Sequence, residues 1–137
     1  MYTEQNRGFT VITNFGCDCH CKYCITKYHP ILQNAVTDKS KIDWDYLEKC
    51  IASSEAPTVN LSGGGDPFYH WQENIDFYNR MYELATKYGK QLDIHTRILP
   101  TDMGLIQKFR KIVLSIESYD TKAMEQLRIL MEISRCL

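Results

Sequence analysis

The sequence has no long hydrophobic run. Nowhere in its 137 residues does an apolar stretch approach the roughly 20 residues that a helix needs to span a bilayer. Residues 1–7 are polar and lack the apolar centre of a signal peptide. We therefore expect a cytoplasmic protein with no membrane partner.

An excess of charge of one sign is also missing. The 16 Lys+Arg and 17 Asp+Glu residues leave a formal net charge of -1, and no block of like charges interrupts the chain. A dedicated nucleic-acid binder carries a clear basic excess, so a nucleic-acid partner is not expected. The 44% hydrophobic content excludes a disordered chain and is typical of one globular domain over residues 1–137.

Cysteine is present but unevenly distributed. Of the 6 cysteines, Cys17, Cys19, Cys21 and Cys24 crowd into one short segment, while Cys50 and Cys136 lie far away. In a reducing compartment such a cluster binds metal more often than it forms disulfides. Cys50 lies on the apolar face of a predicted helix and Cys136 near the end of the sequence, and we expect both to be inert.

Strand-like and helix-like segments alternate along the chain. Runs rich in β-branched residues predict strands, and apolar residues at three- and four-residue spacing predict helices. The predicted strands are Gly8–Thr13, Thr58–Ser62, Gln91–Ile98 and Lys111–Ile116. The first predicted helix is 43–54, which Asp43 caps and which carries Tyr46, Leu47, Cys50 and Ile51 on one face. The second is 74–88 and ends at Gly89. A short third helix is capped by Thr101 or Asp102 and carries Met103, Ile106 and Phe109, and a last one runs from Asp120 to Arg135.

The strand-then-helix order predicts an α/β fold. Four such units imply a parallel sheet with right-handed crossovers, with functional residues at the carboxyl ends of the strands. At about 30 residues per unit they make a partial (β/α) barrel, half of an eight-fold one. The last helix carries an apolar stripe, which predicts an exposed edge beside the fourth strand. The stripe consists of Ala123, Leu127, Leu130, Met131 and Ile133.

The cysteine segment has the spacing of a cluster site. Cys17, Cys21 and Cys24 form the pattern C-x3-C-x2-C directly after the first predicted strand. Three thiolates can hold three irons of a four-iron cluster and leave the fourth iron open to a ligand from outside the protein. A zinc site stays open as an alternative. Other side chains that enlarge the possible ligand set are Cys19, His20 and His29.

A glycine run follows the second predicted strand. Gly63, Gly64 and Gly65 precede Asp66 and Pro67. Glycines let the backbone approach a ligand closely and adopt positive φ, and a run of open carbonyls accepts hydrogen bonds from an ammonium group. The run lacks the lysine of a phosphate-binding loop and the spacing of a dinucleotide-binding one. A plain turn before Pro67 is the other interpretation.

These features together resemble the radical S-adenosylmethionine (SAM) superfamily. In that family C-x3-C-x2-C follows the first barrel strand with an aromatic residue before the third cysteine, the place that Tyr23 takes here. The family also has a motif, usually Gly-Gly-Glu-Pro, after the second strand, where its backbone receives the amino group of SAM. Asp66 stands where the family has glutamate. The resemblance runs through the fourth predicted strand, and the sequence lacks the fifth and sixth strands of the family's core.

The resemblance implies two cofactors, a [4Fe-4S] cluster bound by Cys17, Cys21 and Cys24, and SAM. It implies that an electron donor such as flavodoxin or ferredoxin reduces the cluster, and that SAM is cleaved to methionine and a 5′-deoxyadenosyl radical that abstracts hydrogen from a substrate. The SAM-binding candidates are Tyr23, Gly63, Gly64, Gly65, Asp66, Ser115 and Glu117. His95 and Arg97 share a face of the third strand and either meet a carboxylate or pair structurally.

The class of reaction stays open at this stage. Short family members include activating enzymes that place a glycyl radical on a protein partner and small-molecule enzymes such as those of deazapurine biosynthesis. The alternative is a truncated, catalytically incomplete fragment that binds an iron-sulfur cluster or zinc. A homodimer in which the partner supplies the missing wall also stays open.

Overall fold

The fold is a four-stranded parallel sheet with helices between the strands. The computed structural model describes residues 8–18, 21–28, 39–115 and 121–135. The strands are β1 (Gly8–Val11), β2 (Thr58–Leu61), β3 (Gln91–Thr96) and β4 (Phe109–Leu114). They are all parallel and are ordered β1-β2-β3-β4 across the sheet. The predicted α/β fold with a parallel sheet is therefore confirmed, as an open run of four strands.

Within the described residues, four α-helices connect or follow the strands. They are α1 (Trp44–Ser53), α2 (Ile75–Lys87), α3 (Met103–Ile106) and α4 (Thr121–Arg135). Shorter 3-10 turns are Ile25–Lys27, Lys39–Lys41 and Trp71–Asn74. Two predicted N-caps are confirmed, because the Asp43 carboxylate accepts from the Tyr46 N–H at 2.9 Å and that of Asp102 from the Leu105 N–H at 3.0 Å.

The hydrophobic core lies between one face of the sheet and the helices. Alternate residues of β2 and β3 point into it and are nearly inaccessible, as are large side chains of α1 and α2. These residues include Val59, Leu61, Leu92, Ile94, Ile51, Tyr78 and Met81. The intervening strand residues form a polar second face, lined by Thr10, Asn60, Asp93 and His95. Within the described residues this polar face lines a cavity of about 680 Å³.

Some predicted boundaries and burials were wrong. The strands end earlier than predicted, and Phe109 begins β4 instead of lying on α3. Its ring packs edge-on against Phe68 in the core, so the strand has to start there. Tyr46 is 67% exposed, because Leu47 and Ile51 occupy the core-facing side of α1. The predicted cap Asp120, together with Cys19, His20, His29, Glu117 and Cys136, lies outside the described residues.

The predicted exposed edge is present beside β4. Within the described residues β4 pairs with β3 alone. The helix that follows, α4, exposes large apolar side chains, with Met124 at 54% and Met131 at 50%. None of the helices within the described ranges has both the length and the apolar character needed to cross a bilayer.

Candidate functional site

The carboxyl ends of all four strands open into one cavity of about 260 Å³, which we call the cysteine cavity. This volume is close to the lower end for ligand pockets, about 300 Å³. The residues that line it are Cys17, Cys21, Tyr23, Cys24, Thr26, Ser62, Gly63, Gly64, Gly65, Asp66, His95, Thr96, Arg97 and Ser115. The structure thus brings together three cysteines and three glycines that the sequence separates by about forty residues.

The three cysteines of the spacing motif are partly buried at the wall of the cavity. A tight turn brings two of them together, since the Cys24 N–H donates to the Cys21 carbonyl at 3.2 Å. Within the described ranges no three His, Cys, Asp or Glu side chains are gathered closely enough to hold a single metal ion. The three thiols nevertheless line the same cavity.

Two of these thiols have hydrogen-bond partners. Cys24 Sγ lies 2.8 Å from the Thr26 hydroxyl, and this hydrogen bond lowers the pKa of Cys24 from its ordinary value. Arg97 donates from Nη1 to Cys21 Sγ at 2.9 Å. A thiolate is the form in which cysteine binds metal, so the contact on Cys24 favours metal ligation.

The glycine run packs against the segment that leads into Cys17. All three glycines have positive φ, at +76° for Gly63, +63° for Gly64 and +99° for Gly65. A Cβ on Gly65 would lie 2.3 Å from the Gly16 carbonyl oxygen, and one on Gly64 would lie 2.8 Å from the Asn14 backbone. Glycine is therefore required here for close approach of the chain to itself, as well as for its φ.

Backbone contacts tie the two loops together. Gly16 and Gly65 form an isolated parallel bridge, and the Asp66 N–H donates to the Gly16 carbonyl at 2.9 Å. One step earlier, the Ser62 N–H donates to the Val11 carbonyl at 3.1 Å. The position of Cys17 is consequently coupled to that of the glycine run.

Asp66 joins the glycine run to the end of β3. Its carboxylate is 5% exposed and accepts from the Phe68 N–H at 2.9 Å, the Thr96 hydroxyl at 2.6 Å and the Arg97 N–H at 2.6 Å. Burial raises the pKa of Asp66, and the three hydrogen bonds oppose that rise. Asp66 thus uses both carboxylate oxygens on protein donors, and its role in this arrangement is to hold the two strand ends in register.

Replacing Asp66 by asparagine is expected to destabilise the fold. An amide oxygen can still accept from Phe68 and Thr96, but the amide NH₂ would then face the Arg97 N–H, donor against donor. We expect a loss of about 1–3 kcal/mol in the free energy of unfolding, measured by urea denaturation. Asp43→Asn is the matched control, because asparagine caps a helix as well as aspartate does. Equal stability of the two variants would contradict the assigned role of Asp66.

The remaining candidates lie at the rim of the cavity or outside the described residues. Tyr23 is 74% exposed. Ser115 is also exposed, and its backbone N–H donates to the Thr96 carbonyl at 2.8 Å. His95 lines both the cysteine cavity and a second one of about 680 Å³ on the polar face of the sheet. Glu117 is outside the described ranges.

Sequence reasoning missed two threonines of the site, Thr26 and Thr96. Thr96 carried a readable signal, since it shares the buried register of β3 with Leu92 and Ile94, and a hydroxyl in an apolar register needs a partner. That partner is Asp66. Thr26 follows Cys24 by two residues, but its spacing alone does not reveal the contact between hydroxyl and thiol.

No protein-family model, curated protein or solved structure matched the chain when it was compared with known proteins. The functional interpretation is therefore based on the residues of the cysteine cavity and their geometry.

Proposed function

We propose that the chain is a radical SAM enzyme or activating enzyme, with a [4Fe-4S] cluster bound by Cys17, Cys21 and Cys24. The observation that supports this most directly is the shared cavity. Three thiols in C-x3-C-x2-C spacing face a run of three positive-φ glycines at the carboxyl edge of a parallel sheet. A cofactor site that needs both a cluster and a backbone-bound ligand requires this juxtaposition.

The C-x3-C-x2-C spacing of the three thiols fits a four-iron cluster. In a four-iron cluster each thiolate binds a different iron, so the three sulfurs need to line one cavity without meeting at one point. Three protein ligands, Cys17, Cys21 and Cys24, would leave one iron of the cluster open to the amino and carboxylate groups of SAM. When bound, the reduced cluster supplies one electron that breaks a carbon-sulfur bond of SAM, giving methionine and a 5′-deoxyadenosyl radical.

The other residues of the cavity would bind and orient SAM. Backbone carbonyls of Gly63, Gly64 and Gly65 are suited to accept from the N–H groups of its amino nitrogen. The Ser115 hydroxyl and the Tyr23 ring, both at the rim, are the candidates for its adenosine part. Asp66 keeps the glycine run and the end of β3 in place without binding the ligand itself.

A test is the reductive cleavage of SAM. Protein reconstituted anaerobically with iron and sulfide, then supplied with dithionite and SAM, is expected to produce 5′-deoxyadenosine and methionine in equal amounts, quantified by chromatography. Dithionite replaces the natural donor, for which flavodoxin or ferredoxin is the proposal. Tightly bound zinc with no 5′-deoxyadenosine would favour the zinc-binding fragment instead.

A further inference from the structure

Arg97 contacts the cysteine segment from the opposite side of the cavity. It follows the last residue of β3, and its Nη1 donates to Cys21 Sγ at 2.9 Å in a partly buried contact. The two residues are 76 positions apart, so the contact exists only because the sheet brings the ends of β1 and β3 to one edge. The contact on Cys24, from Thr26, is local by comparison.

The backbone of Arg97 is held in place by hydrogen bonds. Its backbone N–H donates to the buried Asp66 carboxylate, and the Thr96 hydroxyl donates to the same group. A guanidinium is always charged and has a rigid planar set of donors, so it loses less freedom per hydrogen bond than a lysine does. Asp66, which Thr96 holds in turn, therefore fixes the backbone position from which Arg97 reaches Cys21.

We propose that Arg97 is a positioning residue that holds Cys21 as a cluster ligand and raises the reduction potential of the cluster. The inference is based on the proposed function. Reduction adds one negative charge to the cluster and its thiolates, and a cationic donor on a ligand sulfur stabilises the reduced form more than the oxidised form. Loss of the guanidinium should then make the cluster harder to reduce.

The measurement is a potentiometric titration of the reconstituted cluster without SAM, monitored by electron paramagnetic resonance. In Arg97→Met, the ratio of reduced to oxidised cluster at a fixed ambient potential is expected to fall about tenfold, a midpoint about 59 mV lower for a one-electron couple. Arg97→Lys, which keeps the charge, is expected to shift less. Lys111→Met, which removes a cation from the cavity on the sheet face, is expected to leave the midpoint unchanged.

Other results would refute the inference, and each shows which part of it is wrong. An Arg97→Met protein with a wild-type midpoint refutes it, and if that protein has also lost affinity for SAM, Arg97 acts on the SAM carboxylate instead. If Arg97→Met does not fold, as judged by circular dichroism, the neutral donor of Arg97→Gln must still give a lower midpoint than Arg97→Lys. Wild-type protein that binds no four-iron cluster would refute the proposed function as well, which separates the two failures.

Discussion

Alanine in place of Cys21 is expected to reduce the formation of 5′-deoxyadenosine from SAM by more than about 100-fold. This loss is larger than the one expected when a residue that only hydrogen-bonds to a metal ligand is removed. The loss of one thiolate leaves an iron without its protein ligand and removes the acceptor that Arg97 contacts. Iron content after anaerobic reconstitution, measured by chelation, is expected to fall in parallel. The same results are expected for Cys17→Ala and Cys24→Ala.

Cys50→Ala is the control for this series. Cys50 is also a partly buried cysteine, but it lies on α1 and does not line the cysteine cavity. Its removal should leave iron content and product formation at wild-type values. A Cys21→Ala protein that retains full iron content and activity would contradict the ligand assignment.

Alanine in place of Gly65 is expected to have the largest effect on stability. The new methyl group would lie 2.3 Å from the Gly16 carbonyl oxygen, and a backbone atom cannot swing away as a side chain does. The φ of +99° adds the strain of a conformation that only glycine adopts readily. The segment that carries Cys17 has to shift, so cluster binding should weaken together with folding.

Gly89→Ala separates the two contributions. Gly89 has a φ of +66°, with nothing within 4 Å of a Cβ placed there. The Gly89→Ala variant should lose about 1–2 kcal/mol of unfolding free energy, because only the strained backbone conformation of the new alanine contributes. Gly65→Ala should lose a further 1–3 kcal/mol or so from overpacking, measured by urea denaturation. Equal losses in the two variants would show that Gly65 does not pack on the cysteine segment.

The architecture was predictable because its signals are local and repeated. Hydrophobic periodicity and cap residues such as Asp43 and Asp102 gave the element order, and that order gave the parallel sheet. The limits of the strands were less predictable. Phe109 is the first residue of β4 because it packs against Phe68, which is a tertiary contact. Placement at the carboxyl edge of the sheet brings the cysteines and glycines to one cavity.

The contacts between residues of the site could not be predicted from the sequence. The glycine run was interpreted through ligand binding, whereas Gly64 and Gly65 are also needed because Asn14 and Gly16 lie against them. That contact joins residues about fifty positions apart, and no local pattern encodes it. The bond from Arg97 to Cys21 is equally non-local. Spacing thus singled out the cysteines and the glycines, and only the structure shows which residues and atoms contact each other.

The most direct test of the proposed function is electron paramagnetic resonance of the anaerobically reconstituted, reduced protein, recorded with and without SAM. The Cys17→Ala, Cys21→Ala, Cys24→Ala triple variant is the control. The expected result is a four-iron signal that SAM perturbs and that the variant lacks, because SAM then binds an open iron. A cluster signal indifferent to SAM, or zinc in place of any cluster, would contradict the proposal.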